Sequence, residues 1–141
     1  MMTGWLLDTN VLLELRQSRP EPKVVALVSS QPLDLLYVSA ITLAEIRFGI
    51  ECVTDASKRS DLTAWLTHKV RPMFSQRILP VSEDVIFKWR LLLEEGRKTG
   101  HTCSQPDLFI GAIAILNGLT VISRNISDYE KARAPVLNPW R

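Results

Sequence analysis

The chain has 141 residues, 46% of them hydrophobic, with 17 basic against 15 acidic side chains and a net charge of +2. That composition excludes a disordered chain, leaves no room for a second core of ordinary size, and is too balanced to mark a nucleic-acid binder by itself. Two cysteines, Cys52 and Cys103, without metal-ligand spacing exclude a disulfide framework and point to a reducing cytoplasm. One domain over residues 1–141 is the expectation. Asp8 interrupts the only early apolar run, so no signal peptide is expected, and no run approaches the ~18 apolar residues of a membrane span.

In chain order, Gly4-Trp5-Leu6-Leu7 is an apolar run closed by Asp8, the pattern of a buried strand. Asn10 to Gln17 carries Val11, Leu12, Leu13 and Leu15 as a short helix, broken at Pro20 and Pro22. Lys23 to Ser30 resumes helical spacing. Leu35 to Val38 is a second strand ending in Ser39, and Thr42 to Cys52 is a helix with Leu43, Ile46 and Ile50 inward. Residues 55–72 predict a longer polar helix with Leu62, Trp65, Leu66 and Val70 on its inner side. Arg77 to Val81 is a short third strand. Ser82 caps the next helix, with acids in its first turn and Phe87, Leu91 and Leu92 turned inward. Glu94 to Thr102 reads as a charged connection.

Asp107 to Asn117 is apolar nearly all round, which predicts a helix buried on most sides. Gly118 suits its left-handed close. Leu119 to Ile122 is a fourth strand, Ser127 to Arg133 a short helix, and Val136-Leu137 an edge strand before an exposed Pro139-Trp140-Arg141 tail. Strands alternating with helices predict an α/β/α sandwich around a parallel sheet of four or five strands.

Four acids recur at the carboxyl ends of these strands or at the helix starts facing that edge: Asp8, Glu45, Asp107 and Asp128. Open α/β sheets bind their ligands along that edge. Each acid also has a plain reading as a helix cap or a first-turn charge. Thr42-x-x-Glu45 and Ser127-x-x-Glu130 match the capping box, and Ser104-x-x-Asp107 comes close to it. Four caps brought to one edge would repel one another at a cost in stability. The cluster makes sense with a cation in it, and an all-oxygen donor set without Cys or His points to Mg²⁺ or Mn²⁺.

The blocks Leu6-Leu7-Asp8-Thr9-Asn10-Val11, Val38-Ser39-Ala40-Ile41-Thr42-Leu43-Ala44-Glu45-Ile46, Asp107-Leu108-Phe109-Ile110-Gly111-Ala112 and Leu119-Thr120-Val121-Ile122-Ser123-Arg124-Asn125-Ile126-Ser127-Asp128-Tyr129 follow in that order. In order and spacing the chain resembles the PIN-domain ribonucleases, and more closely the VapC-type toxins of bacterial toxin–antitoxin pairs with their FitB-like branch. The resemblance implies a PIN-like three-layer sandwich with strand order 3-2-1-4-5. It implies a metal-dependent endoribonuclease with catalytic and metal-holding acids at Asp8, Glu45, Asp107 and Asp128. Thr9, Asn10, Ser123 and Arg124 would belong to the substrate or outer shell. Ser123 stands where threonine is more usual, Gly111 where relatives often carry alanine, and Tyr129 where many carry phenylalanine. RNA as substrate, a small antitoxin and a homodimer are implied partners, the dimer supported by apolar Val53, Trp65 and Trp89.

Two rival readings stand beside this one. A signalling receiver domain needs a second acid after Asp8 and an acceptor Asp after the third strand, but Thr9 and Leu79-Pro80-Val81 supply neither. A catalytically idle binding module of the same fold is disfavoured by the presence of all four acids.

Overall fold

Leu6 and Val121 point to one side of a sheet while their neighbours Leu7 and Ile122 point to the other, and all four are almost completely buried. That period of two on a strand covered on both faces explains runs that are apolar without alternation. The computed structural model describes residues 4–141; residues 1–3 of the expected 1–141 domain lie outside the described residues.

Five strands, β1 (Gly4–Leu7), β2 (Leu36–Ser39), β3 (Ile78–Leu79), β4 (Leu119–Ile122) and β5 (Val136–Leu137), form one sheet in the order β3-β2-β1-β4-β5. Every neighbouring pair is parallel, with Leu6 opposite Tyr37, Leu7 opposite Ile122, Ser39 opposite Leu79, and Ile122 opposite Leu137. The connections are α1 (Thr9–Arg16), α2 (Pro22–Ser29), α3 (Ala40–Glu51), α4 (Ala56–Trp65), α5 (Arg71–Met73), α6 (Glu83–Thr99), α7 (Gln105–Asn117) and α8 (Ile126–Lys131). One core, built on Leu7, Val38 and Ile122, packs against α1 to α4 and against Leu66, Val70 and Phe74 on either side of α5. The other, built on Leu6 and Val121, packs against α6, α7 and α8. The expected three-layer α/β/α architecture, strand number and strand order are those observed. Among the described residues no helix is long and apolar enough to cross a membrane.

Several local expectations are corrected. Ser39, the last residue of β2, is itself the cap of α3, its Oγ accepting from the Thr42 N–H at 3.0 Å. The strand therefore passes into the helix without a loop, and Thr42 is buried in the first turn rather than capping it. The polar helix over 55–72 is interrupted by a π-helical turn at Leu66–Val70, both of whose end residues are buried. The helix α6 runs on to Thr99, through the stretch read as a connection, and Gly100 closes it at φ 77°. Gly96 is tolerated inside it because the chain folds back there, and a Cβ would meet the His101 carbonyl oxygen at 3.1 Å.

Phe87 and Leu91 face solvent, Phe87 being 63% exposed, whereas Val85 and Leu92 are buried. Residues seven apart share a helix face, and Phe87 lies two residues from Val85, on the opposite side. The tail is largely covered: Pro139 is buried and Trp140 packs against the core that holds Leu7, and Arg141 alone of the three is exposed. Among the residues cited for a dimer, Trp65 packs on that same core and Trp89 stacks on Phe109 with ring centroids 4.7 Å apart.

Candidate active site

Strand β1 lies in the middle of the sheet, with β2 on one side and β4 on the other. The connections diverge there, so a crevice opens at the carboxyl ends of β1 and β4, the usual ligand site of such sheets. Asp8 and Ser123 are the first residues past those two ends. The Asp8 N–H still donates to the Ile122 carbonyl at 3.0 Å, and the Ser123 N–H donates to that of Leu137 at 3.1 Å. Both side chains are buried, Asp8 at 4% exposure.

Over this edge lies a cavity of about 350 Å³ whose walls include Asp8, Thr9, Asn10, Glu45, Asp107 and Asn125. Each acid reaches it for a local reason. Asp8 is the cap of α1, with extended backbone and Oδ1 accepting the Thr9 N–H at 2.8 Å. Glu45 stands on α3, beyond the first turn capped by Ser39. Asp107 sits in the first turn of α7, where Ser104 caps and Pro106 tolerates the unpaired first turn. For Asp8 the cap reading and the site reading therefore hold together.

Asp128 is placed differently. Its Oδ2 accepts the Ser104 N–H at 3.1 Å, tying α8 to the start of α7, and it does not line the cavity. Its charge nevertheless reaches Asp107. Burial, then the charge of Asp8, and to a smaller degree that of Asp128, push the Asp107 carboxyl from 3.8 up to about 6. Hydrogen bonds from Ser104 and Tyr129 hold it back from rising further. A carboxyl raised by neighbouring carboxylates marks an excess of negative charge, which a cation relieves.

The polar residues between the acids form one network. Ser123 Oγ donates to Asp8 Oδ2 at 2.7 Å and accepts from Asn10 Nδ2 at 3.2 Å and the Asn125 N–H at 3.0 Å. Asn125 Nδ2 donates to Asp107 Oδ2 at 2.6 Å. Thr9 Oγ1 reaches Thr42 Oγ1 at 3.4 Å. Arg124 donates its N–H to Asn10 Oδ1, while its exposed guanidinium lies 5.3 Å from the centre of the Trp140 ring. Of the residues expected around the acids, Thr9, Asn10 and Ser123 are brought to them. Arg124 reaches them only through its backbone.

Tyr129 and Asn125 were not assigned roles from sequence. Tyr129 is fully buried, and its hydroxyl meets both Asp8 and Asp107. The one available signal was a polar-ended aromatic directly after Asp128. Burial and the two carboxylates push the Tyr129 hydroxyl far above its usual range, so it stays a proton donor. Burial foremost raises the Cys103 thiol, which points at the Asp128 carbonyl.

The donor set fits a hard divalent cation. Three carboxylates border one cavity with no Cys or His on its walls. Among the described residues no three acids, histidines or cysteines stand close enough to grip an ion directly. Mg²⁺ needs no such cage, since it keeps several waters and takes one or two carboxylates together with substrate phosphate.

The sequence matches the PIN domain family over residues 5–133. It is 33% identical to the VapC ribonuclease Y4jK of Sinorhizobium fredii over 96% of each chain. It is 35% identical to Toxin FitB of Neisseria gonorrhoeae over 96% of this chain and 97% of that protein. The fold superposes on the crystal structure of FitAcB from Neisseria gonorrhoeae with a TM-score of 0.92 and 34% identity, covering 97% of this chain and 99% of that one.

Proposed function

The chain belongs to the PIN domain family, and from that premise we propose that it is an endoribonuclease that hydrolyses RNA phosphodiester bonds. The single observation that carries this reading is the shared cavity of Asp8, Glu45 and Asp107 at the carboxyl ends of the central strands. We read the cation as Mg²⁺, with Mn²⁺ able to replace it, held by one or two of those three carboxylates directly and by the rest through water. Asp128 completes the acidic cluster from behind Asp107. A bound divalent cation would lower the pKa of a water nucleophile and neutralise charge on the phosphate undergoing displacement.

The chain's own residues supply the rest. Thr9 and Asn10 border the cavity beside the acids and offer hydroxyl and amide groups to a sugar–phosphate backbone. Asn125 and Ser123 fix the carboxylates of Asp107 and Asp8. Glu45 lines the same cavity, and its carboxylate would accept a proton from the attacking water. The likeness to proteins named VapC ribonuclease and Toxin FitB supports RNA as substrate and a toxin's role, and a small antitoxin that holds it in check is part of the proposal. A homodimer and a cytoplasmic place of action belong to the same reading.

The test is incubation of the purified chain with single-stranded RNA. Cleavage is expected with Mg²⁺ or Mn²⁺, with loss of activity in EDTA and in Glu45→Gln. Full cleavage after exhaustive chelation would overturn the metal-dependent reading.

A further inference from the structure

Tyr129 is completely buried, its ring packed in the core beneath α7. Its hydroxyl oxygen lies 2.8 Å from Asp8 Oδ2 and 3.3 Å from Asp107 Oδ1. A phenol carries one proton, so it donates over the shorter contact to Asp8 while bordering Asp107 on the other side. Ser123 Oγ donates to the same Asp8 Oδ2 at 2.7 Å. Ser123 has no other use for its proton, because its oxygen already accepts from Asn10 and from the Asn125 N–H.

A carboxylate oxygen offers about two lone-pair directions. At Asp8 Oδ2 both are taken by buried hydroxyls. At Asp8 Oδ1 only the Thr9 N–H is received, at 2.8 Å, which leaves one direction open on an acid that borders the cavity. We propose that Tyr129 is a positioning residue of the metal site: with Ser123 it closes Asp8 Oδ2, so that Asp8 offers Oδ1 alone to the cation. The proposal rests on the reading that these acids hold a divalent cation.

Metal binding to the purified full chain tests it without any RNA. Free Mn²⁺ is titrated by electron paramagnetic resonance, and Mg²⁺ competition gives the second affinity. Tyr129→Phe keeps the ring and removes the hydroxyl. Its Mn²⁺ affinity is expected to fall about 10–100-fold, the usual effect of removing a group that orients a metal ligand, while its circular dichroism in EDTA matches that of the parent. Ser123→Ala is expected to weaken Mn²⁺ in the same direction. A Tyr129→Phe chain that binds Mn²⁺ as tightly as the parent overturns the proposal while leaving the metal site standing. A parent chain that binds no Mn²⁺ removes the metal-site reading itself.

If Tyr129→Phe does not fold, a second measurement decides. The chain has two tyrosines, so a Tyr37→Phe chain labelled with 3-fluorotyrosine carries a single fluorine resonance, that of Tyr129. The resonance is expected to move on saturation with Mg²⁺, as the hydrogen bond to Asp8 readjusts. An unmoved resonance under Mg²⁺ saturation overturns the proposal.

Discussion

Replacing Asp8 with alanine separates two effects that the structure places on one side chain. Tyr129 Oη lies 2.8 Å from Asp8 Oδ2 and 3.3 Å from Asp107 Oδ1, so those oxygens are no more than about 6 Å apart. Two charges at that distance repel by about 3 kcal/mol at an effective dielectric of ~20, and by less once water and salt screen them. Asp8→Ala removes this repulsion. It also removes the cap on α1, at about 1 kcal/mol, and leaves the buried Ser123 hydroxyl without an acceptor, at about 1–3 kcal/mol. Tyr129 still has Asp107. At pH 7 the terms nearly offset, and the metal-free variant is expected between equal in stability and a few kcal/mol weaker. At pH 5 the Asp107 carboxyl, with its pKa of about 6, is largely protonated in the parent, so the repulsion is already gone. The penalty of the substitution is therefore expected to grow by about 1–2 kcal/mol from pH 7 to pH 5. Urea unfolding in EDTA at both pH values measures it. A penalty independent of pH would show that Asp8 and Asp107 are not coupled. At pH 7 the parent alone should gain stability from Mg²⁺, about 2.7 kcal/mol at a hundredfold excess over Kd.

Asp107 binds its proton more tightly folded, at about 6, than at its ordinary 3.8. Metal-free stability should accordingly fall as pH rises from about 4 to 7, and the Mg²⁺ stabilisation should shrink below pH 6 as protons compete for the same carboxylate; melts with and without Mg²⁺ across that range read both. Gly111→Ala should raise stability by about 0.5–1 kcal/mol, because a Cβ there meets Ala132, Ala134 and Tyr129 at ordinary distances of 3.7 to 3.8 Å; a lowered melting temperature contradicts this. Light scattering at tens of micromolar should give a dimer, in keeping with exposed Phe48 and Phe87; a monomer contradicts it.

The layers were legible because the runs at Gly4–Leu7, Leu36–Ser39 and Leu119–Ile122 are short, apolar and closed by polar residues, whereas the strand order came only from the family resemblance. The acids were legible for the same reason, since each follows such a run or opens the next helix. Helix bounds were less legible where one residue does two jobs. Ser39 ends a strand and caps a helix, so the cap was sought three residues too late. The inward side of α6 was misread although its Ser82 cap was found, because large apolar side chains lie on both sides of the helix and Phe87, two residues from buried Val85, falls on the solvent side. Asp128 shares the edge of the other acids, but its short helix α8 directs the carboxylate onto Ser104. The role of Tyr129 depends on two carboxylates from distant segments meeting one hydroxyl, and no local pattern carries that information.

In the proposed site Asp8 just past β1, Glu45 within α3 and Asp107 in the first turn of α7 hold one divalent cation. Diffraction from crystals grown with Mn²⁺, recorded at the manganese edge, tests it directly. An anomalous peak is predicted in the cavity between Asp8, Glu45 and Asp107, on the Oδ1 side of Asp8. A crystal with that cavity open to solvent, whose manganese lies only elsewhere on the molecule, would contradict the claim.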